Sequence, residues 1–377
     1  MLLASRETMH MNLFSGKERE IGIISIILII IFSNGLLFYF QNIIEHDLRD
    51  SIFEQQKQHQ IESTKEISQR IGSDLNLVMG MLDGLKNSKY LQDDQLSSDK
   101  TEKLLEEKYA QFSNVIDRLF VLDKYNIVAA SLSSHVSETI LGNDLTFQDW
   151  VKETRKTLQP VFSSGFERLN LYSVSITIPI INRDTNEYIG LIGTSILTEK
   201  FFANYGNINN INRQFLVAYD KNGIMLANGA SETFVGQNFF DQYTQKFIHH
   251  NEILNNLTRN LLAGNPGTAV YDYGNGEKLT TQYPIFVNGK PTYFIQVVTP
   301  TSQIYSMVNN VLSVQQVRMF SLFVAASTVA IVALVILLRK WNIILRREVK
   351  RRTQELEESY EEMKRYLEVV LKELKKK

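Results

Sequence analysis

The run Met319–Leu338, MFSLFVAASTVAIVALVILL, holds twenty residues without one charge. At ~1.5 Å per residue, a helix of that length spans a hydrocarbon core of ~30 Å. Arg339, Lys340, Arg346, Arg347, Lys350, Arg351 and Arg352 follow at once. A basic flank of this kind marks the cytoplasmic side of a span. The polar bulk of the chain, which precedes the run, is then expected outside.

A second run, Ile21–Phe40, IGIISIILIIIFSNGLLFYF, is again twenty residues long and uncharged. A cleaved signal peptide is the competing reading. Its apolar region would be shorter and end in small residues, whereas this run ends in LLFYF. The expected topology is a two-span protein of the cell membrane, with spans at 21–40 and 319–338. Residues 41–318 are then extracytoplasmic, residues 1–20 a cytoplasmic lead, and both termini cytoplasmic.

The net charge of −1 conceals a division, because residues 339–377 carry 13 Lys and Arg against 8 Asp and Glu. The outer part is correspondingly acidic, which argues against a nucleic-acid partner. The chain has no cysteine, so no disulfide, thiolate zinc site or cysteine nucleophile is available. The outer part must be stabilised by its core, and about 275 residues can bury one or two.

From Gln41 to about Leu85 the chain has no proline and reads as one long helix, the stalk of 41–90. Ile61, Thr64, Ser68, Ile71, Leu75, Val78, Leu82 and Leu85 follow a 3-4 spacing. That stripe either packs on the outer domain or also pairs with a second copy. Ser98–Phe112 is a second helical pattern, with Ser98 as its N-cap. The middle of the chain turns to strands. Arg118–Ala130 reads as strand, Asp-Lys-Tyr-Asn turn, strand; Phe147–Thr157 as a short helix; Ser173–Ile181 and Tyr188–Leu197 as apolar strands.

Much the same order recurs. Phe215–Ala227 repeats the strand–turn–strand, with Asp220-Lys221 lying 97 residues after Asp123-Lys124. Phe239 to about Leu262 reads as helical. Lys278–Val287 and Pro291–Thr299 are strands joined by the hairpin signal Asn288-Gly289-Lys290. Ile178-Pro179-Ile180 has a counterpart in Tyr283-Pro284-Ile285. The expected fold is α+β, two modules of roughly 100 residues at 91–205 and 206–310, each an antiparallel sheet with flanking helices.

Two apolar runs around a long helix and paired strand–turn–strand units resemble the double Cache sensor domain of prokaryotic receptors. Asp144–Trp150, DLTFQDW, resembles that family's D-x-S/T-x-x-x-W region. Ser175-Ile-Thr-Ile-Pro-Ile and Gly190-Leu-Ile-Gly193 resemble its closing hairpin, and the likeness covers about residues 41–310. It implies a PAS-like fold in each half, with a small ligand between the distal sheet and the loop-helix around Trp150. Many members bind amino acids through R-x-W-Y and a later Asp. Here the matching residues are Gln148, Asp149, Trp150 and Val151, and Ser195 stands where the Asp would be. A ligand bearing both a carboxylate and an amine would lack the partners that offset desolvation. A different small molecule, or none, is expected.

Trp150 therefore reads either as core packing or as a pocket wall. Phe147, Tyr172, Arg168, Asp144 and Ser195 are the further candidates for ligand contact. Asp123 and Asp220 read as ordinary turn residues. His249-His250 adjoin on a helical pattern and make a poor metal pair, so no metal or cofactor is expected. Asn256-Leu-Thr258 is a glycosylation sequon by pattern. No nucleophile–base pair and no phosphate loop stands out, so no enzyme is expected.

Beyond the second run, Val349, Leu356, Met363 and Val370 recur every seven residues, and Thr353, Tyr360, Leu367 and Leu374 repeat that step offset by four. This a/d seam predicts a parallel dimeric coiled coil in 339–377, with an amphipathic helix on lipid as the alternative. The stretch resembles the linker before the kinase module of sensor histidine kinases. No histidine follows Leu338 and only 39 residues remain. The expectation is a receptor, homodimeric through this helix, that acts on a separate cytoplasmic kinase or other signalling protein, or a truncated remnant of one. The alternative is a membrane scaffold or surface protein whose modules bind no small molecule.

Overall fold

The computed structural model describes residues 16–133, 140–168, 171–206 and 213–374. The expected cytoplasmic lead lies, up to residue 15, outside the described residues. The chain divides into two units, Met1–Leu48 with Asn309–Lys377, and Arg49–Val308.

The first unit is made from two long helices, the N-terminal part of α1 (Gly16–Lys86) and most of α8 (Thr301–Leu374). Among the described residues one helix, Thr301–Leu371, is long and apolar enough to cross a membrane, and its apolar window is entirely unburied. Two hydroxyls of the run bond within the helix: Ser321 Oγ donates to Arg318 O and Thr328 Oγ1 to Val324 O, both at 2.7 Å. Ile21–Phe40 is helical as part of α1. Val349, Leu356, Tyr360, Met363 and Leu367 are all exposed along α8.

The second unit holds two antiparallel sheets. Helices α2 (Lys89–Gln92) and α3 (Asp99–Phe112) lead into the first, and Ser98 Oγ caps α3 by accepting from Thr101 N at 3.3 Å. The distal sheet comprises β1 (Arg118–Asp123), β2 (Val128–Ser133), β3 (Val161–Phe162), β4 (Phe166–Arg168), β5 (Leu171–Ile181) and β6 (Tyr188–Leu197). Helix α4 (Asp149–Thr157) lies between β2 and β3 in sequence, and α5 (Thr198–Ala203) follows β6. The proximal sheet comprises β7 (Phe215–Tyr219), β8 (Met225–Asn228), β9 (Gly267–Tyr271), β10 (Lys278–Val287) and β11 (Lys290–Pro300), with α6 (Gln242–Phe247) and α7 (Glu252–Leu262) between β8 and β9.

The two halves repeat each other in topology. The distal strand order is β2-β1-β6-β5-β3, with β4 beside β5, and the proximal order is β8-β7-β11-β10-β9. The repeat extends to irregularities. Bulges fall at Val121/Leu122 and Ala218/Tyr219, and again at Ile180/Ile181 and Ile285/Phe286, one residue beyond Pro179 and Pro284. The turns match as well. Asp123 Oδ1 accepts from Tyr125 N at 2.8 Å and Ile127 N at 2.9 Å, and Asp220 Oδ1 from Asn222 N at 2.8 Å and Ile224 N at 2.9 Å.

Helix α1 runs along both sheets. Gln60, Thr64 and Ser68 are buried against the proximal sheet, where Gln60 Nε2 donates to Val297 O at 2.9 Å and Ser68 Oγ to Pro284 O at 2.6 Å. Ile71, Leu75, Val78, Leu82 and Leu85 join a core with Leu119, Val121, Ile176, Ile192, Ala218 and Ile295. The 3-4 stripe thus packs on the domain. Each sheet keeps its opposite face for its own helices: Phe120, Leu122 and Leu191 under α4, and Val217, Tyr219 and Phe294 under α6 and α7.

The single helix expected over 239–262 is instead two. His249 and His250 break it, both in the left-handed region at φ 52° and 53°. Asn251 restarts it as the N-cap of α7, accepting from Leu254 N at 2.9 Å. The apolar 3-4 pattern continues across the break, so periodicity alone could not show it. The hairpin read from Asn288-Gly289 is present as a two-residue turn with both residues at positive φ, 50° and 74°.

Candidate functional site

Strand parity divides the distal sheet's inner face, the one turned to α4, into two zones. On β1, Arg118, Phe120 and Leu122 point this way; Arg118 pairs with Ser195, Phe120 with Gly193 and Leu122 with Leu191. On β5, Ser175 pairs with Ser195 and Thr177 with Gly193. One end of the face is therefore apolar and the other is lined with hydroxyls around an arginine.

The apolar end belongs to Trp150. It is 6% exposed, tilted against Phe120 at 5.7 Å and Phe166 at 6.4 Å between ring centroids. Val128, Val151, Val161 and Leu191 complete the cluster. Gly193 is what lets Phe120 lie on the sheet, since a Cβ there would sit 2.7 Å from both the Phe120 ring and the Thr177 methyl. Helix α4 is pinned over this end by Thr154 Oγ1 and Thr177 Oγ1, 2.6 Å apart. The Trp150 indole N–H is buried without a hydrogen-bond partner.

The polar end is built from Arg118, 1% exposed, with Ser173 and Ser175 fully buried and Ser195 at 5%. Ser175 and Ser195 hydroxyls lie 3.4 Å apart, and Ser163 Oγ accepts from Ser175 N at 2.7 Å. Ser173 Oγ is buried with no partner. Arg168 reaches past β5 and β6 to an ion pair with Asp117, whose own N–H donates to Ser195 O at 2.8 Å.

Of the residues singled out from sequence, the structure brings Arg168 and Ser195 together at this polar end and sets Trp150 beside it. Tyr172 faces the other way, half-buried against Gly165 and Gly236, its phenol raised in pKa by burial and by the Asp220 carboxylate. Phe147 is 67% exposed. Asp144 is exposed and closes a turn by accepting from Thr146 N at 2.8 Å; hydrogen bonding from the Thr146 side chain, then from its backbone, lowers the Asp144 pKa. Asn238 does the same in the second half, accepting from Phe240 N at 2.9 Å. Arg118 was not among the sequence candidates. Its signal was parity: it shares the inward alternation of Phe120 and Leu122 at the mouth of an apolar strand.

Asp220 proves to be more than a turn residue. It is fully buried, and its second carboxylate oxygen accepts from Gly165 N at 3.1 Å in the distal half. Asn222 Nδ2 donates to Ser164 Oγ at 2.8 Å and the Tyr293 hydroxyl to Ser163 O at 2.9 Å. The proximal half thereby grips the segment that follows β3, whose Ser163 also borders the polar face.

The sequence model of the family described as HK/GC/Chemotaxis protein-like, sensor domain, matches residues 80–199. No curated protein matches the chain in sequence. Among solved structures, the extracellular domain of mmHK1S-Z3, described as a histidine kinase, aligns with TM-score 0.53 at 12% identity, over 69% of this chain and 98% of that one. The periplasmic sensory domain of the Campylobacter jejuni chemoreceptor Tlp1 aligns with TM-score 0.52 at 12% identity, over 67% and 98%. The ligand-binding domain of the Pseudomonas aeruginosa PAO1 amino acid chemoreceptor PctB, in complex with L-Gln, aligns with TM-score 0.50 at 10% identity, over 66% and 93%. Residues 80–199 thus match a sensor-domain family model, and the fold of 49–308 is similar to the extracytoplasmic sensory domains of a histidine kinase and a chemoreceptor.

Proposed function

We propose that this protein is a membrane-anchored extracytoplasmic sensor that binds a small molecule on the inner face of the distal sheet. The observation that carries the reading is Arg118, buried among the hydroxyls of Ser173, Ser175 and Ser195. A guanidinium offers five donors in a fixed fork, and serine hydroxyls can donate or accept beside it. A small molecule presenting carboxylate or carbonyl oxygens suits that lining, with Trp150 and Phe166 forming the apolar side. The PctB domain, solved with L-Gln, is a precedent on the same fold. Gln148 and Ser195, in place of the Arg and Asp of the amino-acid motif, point away from free amino acids as the ligand.

The same reading places residues 41–318 outside the cell, with spans at 21–40 and 319–338. Transmission has a direct route in the chain, because β11 ends at Pro300 and α8 begins at Thr301 with no linker. A ligand that favours one setting of β11 would bias α8, provided its affinity differs between the two settings. Helix α8 then acts as a homodimeric coiled coil on a separate cytoplasmic kinase or other signalling protein, with no catalysis by this chain.

The test is a thermal-shift screen of the full chain in detergent against carboxylates, amides, purines and sugars. A ligand at ~100 times its Kd adds ~2.7 kcal/mol, a shift of several degrees. A hit that weakens in Ser173→Ala and Ser195→Ala places the site. A second reading rests on the Trp150 cluster, which is buried and apolar: a scaffold with a closed distal module. Silence across the screen would favour it.

A further inference from the structure

The internal repeat allows the two inner faces to be compared position by position, and they differ in one respect that matters for binding. In the distal half, Phe120 and Trp150 fill the space between sheet and helix. The repeat offset of 97 residues, set by Asp123 and Asp220, puts Val217 where Phe120 stands. The smaller side chain leaves a cavity of about 60 Å³ between β7, β11 and the α6–α7 pair. One water needs ~10–15 Å³ of such space, so the cavity accommodates a molecule of roughly four to six non-hydrogen atoms.

Its walls are selective. Aromatic rings dominate, and no charged residue lines it among the described residues. Thr244 Oγ1 lines the cavity, in a residue only 3% exposed, and has no hydrogen-bond partner. The reason is local. Thr244 stands in the first turn of α6, where Asp241 caps its N–H at 2.8 Å, and the carbonyl one turn back, Asp241 O, is taken by Gln245 N at 2.9 Å. Gln296, also in the lining, is by contrast committed: it accepts from the Tyr219 hydroxyl at 2.9 Å and donates to Thr258 Oγ1 at 3.0 Å. Phe247, 48% exposed, and Tyr273 meet at 5.9 Å between centroids and form the rim. The Lys278 ammonium rests 4.1 Å from the Tyr273 ring centroid. A cation would be repelled there, and an anion would be desolvated without a partner inside.

We propose that this proximal cavity is a second small-molecule site, taking a neutral ligand with a compact apolar body and one polar group held by Thr244 Oγ1. It does not depend on the distal reading. The probe is isobutyramide, followed by saturation-transfer NMR on the full chain in lipid nanodiscs, with isobutyrate and tetramethylammonium as charged comparators. The expected result is a saturable isobutyramide signal, at least tenfold weaker affinity in Thr244→Val, and retention in Thr244→Ser. Val217→Phe, which gives this half the distal side chain, should abolish the signal while far-UV circular dichroism stays unchanged. If that variant does not fold, the Thr244 pair decides alone. The proposal is overturned by the absence of a saturable signal in the folded wild type. Unchanged affinity in Thr244→Val, or either charged comparator binding as tightly as the amide, overturns it equally.

Discussion

Arg118 and Trp150 stand on one face of one sheet and show how differently the sequence exposed them. Trp150 could be picked out by rarity and by the motif around it. Arg118 opens an apolar strand and reads as the polar residue at a strand end, so only counting parity from Phe120 would have turned it inward. Trp150→Ala removes the ring that holds α4 to Phe120, and unfolding in denaturant should show a loss of about 3–5 kcal/mol. Tyr188 makes a second residue-level prediction. Its hydroxyl is buried without a partner, and burial pushes its pKa up to about 12. The unfolded chain ionises near the ordinary value of 10.0, so above that pH it holds fewer protons than the fold, and stability falls as pH rises. Tyr188→Phe should therefore leave stability at pH 7 unchanged or higher. It should also flatten the decline between pH 10 and 12, measured by denaturant titrations across that range.

Among elements, the turns were read correctly as turns and incompletely as parts. Asp123 and Asp220 cap the same two amides, yet only Asp220 is sealed and extends to Gly165. Nothing local in Asp-Lys-x-Asn and Asp-Lys-Asn-Gly distinguishes them, because the difference is made by the other half of the fold. Asp220→Asn can keep the turn bonds while losing an acceptor at Gly165 N, at a cost of about 1–3 kcal/mol. Hydrogen exchange should quicken at Gly165 and leave Asn222 and Ile224 protected. The α6–α7 break was hidden because the apolar spacing runs through it, although Asn251 three residues before Leu254 was a legible cap. His250→Gly relieves a left-handed backbone and should raise stability by up to about 1 kcal/mol, read from the thermal midpoint.

The whole molecule was legible where pattern repeats over long stretches: the apolar run of α8, the stripe of α1, and two sheets of one topology. What could not be read was where each inner face is filled and where it keeps space, since that depends on single side chains such as Phe120 and Val217. The proposed homodimer makes its prediction at this scale. The chain lacks cysteine, so Leu356→Cys or Met363→Cys on the seam should cross-link readily in membranes, whereas Glu361→Cys on the outer face should not. Equal yields at all three would remove the coiled coil from the reading.

The four bulges hold a record of another kind. A bulge leaves one residue unopposed and bends its strand, so two halves arising separately would have had to make the same two interruptions, one of them after a proline in each half. The economical history is one ancestral module copied in tandem and then allowed to diverge. Positions where the copies still agree, such as Asp123 and Asp220, record what the module needed in order to fold. Where they part, as at Arg118 and Phe215 or Phe120 and Val217, the fold did not require the copies to agree.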